Sequence, residues 1–150
     1  MQHDCPFCAD AIKATVFAES THCRAIINIA PVLPGHVLVI PKRHYQQVLA
    51  LPNPVYEDMM HFMREVSRGL LRAYNAGGIN WTLQEGTEAG QTITHLHFHL
   101  IPRKHDDLDD PGDWYPRLKE SQHIDSKNRP KLSAKDIKDI AQWLKDYINR

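Results

Sequence analysis

Between His95 and Leu100, imidazole and apolar side chains alternate without a break, in the stretch THLHFHLIPRK that begins at Thr94. A period of two is the signature of a β-strand, because successive Cβ atoms there point to opposite faces of a sheet. The pattern therefore sends His95, His97 and His99 to one face and Leu96, Phe98 and Leu100 to the other. One face packs, and the other presents three of the chain's ten histidines in a row.

Around this segment the chain reads as one domain. Its 150 residues are enough to bury a core without disulfide staples. TVFAES and CRAIINIA read as a hairpin with a polar tip at Ser20 to His22, and HVLVI as a strand between the Pro34-Gly35 turn and Pro41. A long helix is expected from Asn53, which reads as its cap, with proline at its first position. It carries Val55, Met59, Phe62, Met63, Val66, Leu70 and Tyr74 on its apolar face, and Gly77-Gly78 is expected to stop it. INWTLQE and TITHLHFHLIP supply two more strands. Residues 105–130 are polar and proline-punctuated and read as mostly loop. A final helix follows, with Ser133 and Asp136 as a capping box and Ile137, Ile140, Leu144 and Ile148 as its stripe. These elements predict an α+β fold: an antiparallel five-stranded sheet with the long helix on one face, leaving the histidine face open to a ligand.

Charge narrows the function. Eighteen basic residues balance eighteen acidic ones, so no global field favours nucleic acid or an anionic membrane. No apolar run is long enough to span a bilayer, and no signal peptide is evident, so a cytoplasmic protein is expected. In that compartment three cysteines are not expected to form structural disulfides. Cys5 and Cys8, in CPFC, point to metal or redox chemistry; a thioredoxin-like reading lacks its strand-to-helix junction, and Cys23 reads as an inert buried thiol.

Three readings of the triad compete. Solvated surface histidines are disfavoured, because imidazoles this dense on a strand are poor neighbours unless used. A metal triad is chemically sound, since imidazole is a common metal ligand. In the third reading His97 is a nucleophile, because an imidazole nitrogen attacks phosphorus well and leaves again. The surroundings favour the third. QEGTEAGQT places Gln84 and Gln91 on either side of a glycine-bearing loop suited to phosphate oxygens, and PGH adds His36 behind a tight turn.

HLHFHLI, LQEGTEAGQTITHLHFHLIPRK and PVLPGHVLVIP together resemble the histidine triad (HIT) superfamily, most closely its fragile-histidine-triad branch of dinucleoside polyphosphate hydrolases. The resemblance runs from the first hairpin to Tyr115 and implies a HIT-like fold. It implies that His97 attacks the α-phosphorus and carries the nucleotidyl group, with His99 and His36 at the phosphate. It further implies that Gln91 contacts the phosphate or leaving group, Gln84 lines the channel, Asn28 binds the ribose, Ile27 lies by the base and Tyr115 comes from a mobile loop. Other members of the superfamily hold structural zinc with four residues whose matching positions here are Cys5, Cys8, His44 and His95, which assigns residues 1–14 to a zinc-binding amino terminus. Members pair as homodimers through the long helix and a sheet edge; Met59 and Met63 suit either an interface or the core. The substrate expected is thus a dinucleoside polyphosphate. Alternatives are nucleoside phosphoramidate hydrolysis, a nucleotide-binding regulatory module with little turnover, and metal-dependent hydrolysis at the triad.

Overall fold

Alternation along the central strands decides the layering. The computed structural model describes residues 4–121 and 130–148. Its strands are β1 (Val16–Glu19), β2 (Cys23–Ile27), β3 (Val37–Pro41), β4 (Gly78–Thr82) and β5 (Phe98–Arg103), and its helices α1 (Asn53–Ala73), α2 (Trp114–Ser121) and α3 (Ala134–Ile148). The strands form one sheet in the order β1-β2-β3-β5-β4, every neighbouring pair antiparallel. Cys23, Ala25 and Ile27 of β2, Val37 and Val39 of β3 and Leu100 of β5 face the helical layer, where they meet Val55, Met59, Phe62, Met63, Val66 and Leu70 of α1. The alternate residues Ile26, Leu38 and Ile40 face the other way, onto Cys5 and Phe7 of the amino-terminal segment. The five strands and two of the helices are those predicted.

Met59 and Met63 are fully buried in the single chain, so they belong to the core and not to an interface surface. The long helix stops earlier than Gly77-Gly78. Asn75 takes the left-handed conformation (φ 49). The Ala76 N–H then bonds to the Leu71 carbonyl at 2.9 Å and the Asn75 N–H to that of Arg72 at 3.3 Å, closing a Schellman cap. Asparagine tolerates this conformation well enough to replace glycine. At the amino end Pro52, not Asn53, is the capping position, and no side chain caps the helix. At α3 the predicted cap is present, with the Asp136 N–H bonded to Ser133 Oγ at 3.0 Å.

Two segments depart from their sequence reading. The first is 105–130, whose described part contains α2. Pro116 falls in the first turn of α2, where a missing N–H costs nothing. Leu118 and Trp114 pack onto Val32 and Ile101 and give the helix a buried face. The second is the histidine segment, where the ladder begins only at Phe98. Ahead of it the Leu96 N–H bonds to the Tyr45 carbonyl at 2.7 Å, and the His95 carbonyl is taken by a side chain. Backbone groups so engaged cannot pair with β3. The two-faced pattern survives, with Leu96 in the helical core.

Candidate active site and metal centre

Gly35 positions the first imidazole. Its φ of 88° suits glycine, and a Cβ there would come 2.6 Å from Pro102 and 2.8 Å from Tyr74. The turn delivers His36 to the start of β3, where it is almost wholly buried beside β5. The Val32 N–H donates to His36 Nδ1 at 3.0 Å, so Nδ1 is an acceptor and the proton lies on Nε2. That nitrogen stands 2.9 Å from His99 Nδ1, which must then accept. His99 therefore carries its own proton on Nε2. Two bonds thus fix the tautomers of two histidines in series.

His97 is fixed the opposite way round. Its Nδ1–H donates to the His95 carbonyl at 2.7 Å, and since a carbonyl can only accept, the Nε2 lone pair is the one left for chemistry. Burial holds the His97 imidazole below its ordinary pKa, against the opposing pull of that hydrogen bond. The ring is neutral at pH 7. Its centroid lies 5.1 Å from that of His99, so a nucleophilic lone pair and an N–H donor share one site.

His97 and His99 line a cavity of about 350 Å³ between the sheet, the amino-terminal segment and the Gly86–Gln91 loop. Ile27, Asn28, Gln84 and Gln91 line it too. The Ala30 N–H bonds to Asn28 Oδ1 at 2.9 Å and sets that amide, whose Nδ2 lies 3.2 and 3.4 Å from the two nitrogens of His36. Gln91 closes its loop: Oε1 accepts from the Gly86 N–H at 2.7 Å and Nε2 donates to the Ile93 carbonyl at 2.9 Å. Gly90, left-handed at φ 92, brings loop backbone to the cavity wall. Gln84 is 8% exposed, and its Oε1 is the one buried side-chain polar atom without a partner among the described residues. Its Nε2 donates to Thr82 Oγ1 at 2.7 Å.

The structure brings Ile27, Asn28, Gln84, Gln91, His97 and His99 to one cavity, while His36 stands behind His99 and does not itself line it. Tyr115 lies on α2, 39% exposed, away from the lining, with its ring against Trp114 and Lys119. Sequence reasoning passed over Pro6, Phe7, Ala11, Ile12 and Thr15, which form a wall, and Lys131, the only charged residue among those lining the cavity. The signal for Phe7 was its place inside CPFC: a segment pinned at both cysteines presents the residue between them.

Cys5, Cys8, His44 and His95 form a second cluster, each offering one donor atom, with all four within 4.8 Å of one another. Cys5 Sγ and Cys8 Sγ each lie 3.5 Å from His95 Nδ1, and Cys8 Sγ lies 3.4 Å from His44 Nδ1. His95 Nε2–H donates to the Pro41 carbonyl at 2.8 Å, which reserves the Nδ1 lone pair for the cluster. Such an outer hydrogen bond is what orients a metal-ligating histidine. Burial pushes its imidazole down to about 4, and electrostatic coupling to His44, His97 and Arg24 adds to the effect against the Pro41 hydrogen bond. Two cysteine sulfurs and two imidazole nitrogens make a donor set that fits a four-coordinate metal ion.

Comparisons with known proteins place the chain in a family. The family profile described as HIT domain matches residues 9–106. A bis(5'-adenosyl)-triphosphatase of Dictyostelium discoideum is 32% identical over 134 residues, covering 89% of this chain and 90% of that one. An asymmetrical bis(5'-nucleosyl)-tetraphosphatase of Schizosaccharomyces pombe is 33% identical over 166 residues, covering 92% and 91%. Among solved structures, a zinc-bound histidine triad family protein from Mycobacterium smegmatis shares the fold, with TM-score 0.72 and 23% identity over 99% of this chain and 96% of that one.

Proposed function

Because the chain belongs to the HIT family, we propose that it hydrolyses dinucleoside polyphosphates at the α-phosphorus through a covalent nucleotidyl-His97 intermediate. The observation that carries this is the His97 Nδ1–H bond to the His95 carbonyl, which directs the opposite lone pair to chemistry. The named activities of the two relatives support the substrate class.

In the first step His97 Nε2 attacks the α-phosphorus, a P–N bond forms and the P–O bond to the departing nucleotide breaks. The ring becomes cationic, and the His95 carbonyl, which keeps its hydrogen bond throughout, stabilises that charge. His99 supplies an N–H to the phosphoryl oxygens, held in that tautomer by His36. Water then attacks the phosphorus, the P–N bond breaks and His97 is restored. Fixed dipoles of this kind carry much of the rate in phosphoryl transfer. The apolar wall and Ile27 suit a base, Asn28 a ribose, and the unpartnered Gln84 Oε1 a hydrogen-bond donor of the ligand.

Zinc is the metal that best suits the Cys5, Cys8, His44 and His95 set. Zn–S bonds of about 2.3 Å and Zn–N bonds of about 2.0–2.1 Å give tetrahedral S···N edges of roughly 3.5 Å, the separation these donors already have. All four positions are filled by protein, so the ion is structural, tying the amino terminus to the sheet. The protein is a cytoplasmic homodimer in this reading. Its contact is the β4 edge, where Trp81 is 43% exposed, with Tyr56 on α1.

Turnover of diadenosine triphosphate in ¹⁸O-water tests the proposal. Attack at the α-phosphorus places the label in AMP and none in ADP. Label in ADP, or no cleavage alongside rapid hydrolysis of adenosine 5'-phosphoramidate, would refute it.

A further inference from the structure

The amino-terminal segment serves the cavity and the metal cluster at once. Pro6 and Phe7, between the two cysteines, are part of the cavity wall. The Phe7 ring stands edge-on to His97 with centroids 5.2 Å apart, and to His95 at 5.7 Å. The turn Asp10–Thr15 beyond it packs on α3 and β2. Cys5–Ala9 has less to hold it. The Cys8 and Ala9 N–H groups bond to the Cys5 carbonyl at 3.1 Å each, and the Ala9 carbonyl accepts from the Ile12 N–H of the following turn at 3.1 Å; none of these three bonds reaches the sheet. Its ties to the sheet are the apolar contacts of Cys5 and Phe7 with Ile26, Leu38 and Ile40, and the thiol–imidazole cluster.

The partners of that cluster are well anchored. His44 follows β3, and His95 is held by Pro41 and by the Leu96 bond to Tyr45. A metal ion bound there clips a loosely held wall onto a rigid sheet, with Phe7 inside the clip.

We propose that Phe7 is a positioning residue for the nucleotide, and that metal occupancy of the Cys5–Cys8–His44–His95 cluster sets nucleotide affinity through it. The inference rests on the nucleotide reading of the cavity. His97 bonds to the His95 backbone carbonyl and His99 to His36, neither of them through the amino-terminal segment, so loss of metal acts on KM more than on kcat.

The test is binding of AMP by calorimetry to zinc-loaded and chelator-treated protein, in wild type, Phe7→Ala and Phe7→Leu, with hydrogen exchange followed in parallel. In wild type, chelation is expected to weaken AMP binding about tenfold, the scale of an aromatic wall contact, and to speed exchange in residues 7–9 while β3 and β5 stay protected. Loaded Phe7→Ala, its zinc content unchanged, is expected to bind AMP as weakly as chelated wild type and to lose little more on chelation. Phe7→Leu should recover part of the loss. Equal AMP affinity with and without zinc in wild type, a chelator effect in Phe7→Ala as large as in wild type, or loss of β5 protection on chelation would each overturn the coupling. If AMP does not bind zinc-loaded wild type at all, the nucleotide reading falls as well, an outcome distinct from chelator-insensitive binding.

Discussion

At the scale of single residues, protons decide the roles of the imidazoles. A run of three alternate histidines announces itself in the sequence, but which nitrogen of each carries hydrogen depends on a Val32 N–H and a His95 carbonyl that no spacing rule specifies. His36 could be read as a phosphate-site imidazole; in the fold it stands one step back, hydrogen-bonded to His99. Two predictions follow from that order. His97→Ala should lower kcat/KM by about 10³-fold or more, since it removes the proposed nucleophile. His36→Ala and His99→Ala should each cost about 10²-fold, and the double variant about the same as His99→Ala alone, because the two rings act as a unit. A product of the two single effects in the double variant would show that His36 acts independently.

At the scale of elements, the strands and the long helices were legible because hydrophobic period survives packing. What was not legible came from local bonds. Asn75 stops α1 ahead of the glycines, and α2 forms in a stretch whose charge and prolines suggest loop, because Leu118 finds Val32 and Ile101 to cover. These caps carry measurable stability. Asn75→Ala should lower the free energy of unfolding by about 1 kcal/mol and Asn75→Gly should not, since the position needs a left-handed backbone. Ser133→Ala should cost about 1 kcal/mol through the lost bond to the Asp136 N–H. Urea denaturation checks each; a stable Asn75→Ala would mean that the turn owes nothing to residue type.

At the scale of the whole molecule, the sheet separates a helical core on one face from a chemical layer on the other, and the amino terminus completes that layer. CPFC was readable as a metal half-site, and the fold adds what spacing could not, that His44 and His95 come within reach of it. Thiol chemistry should sort the three cysteines accordingly. Burial and the charge of Asp58 push the Cys23 thiol up to about 12, against a hydrogen bond from Ser20 and the charge of Lys42. At pH 8 only about one Cys23 in 10⁴ would be thiolate. Iodoacetamide should therefore modify native chelated protein at the exposed Cys8 and spare the buried Cys23; labelling at Cys23 before unfolding would contradict its burial. The central claim, covalent catalysis at His97, is tested most directly by intact-protein mass after brief mixing with diadenosine triphosphate and an acid-free quench. An adenylyl adduct on wild type, absent from His97→Gly together with its turnover, is the predicted result. No adduct on wild type, with turnover that persists in His97→Gly and disappears with a chelator, would make the site a metal-dependent hydrolase and contradict the claim.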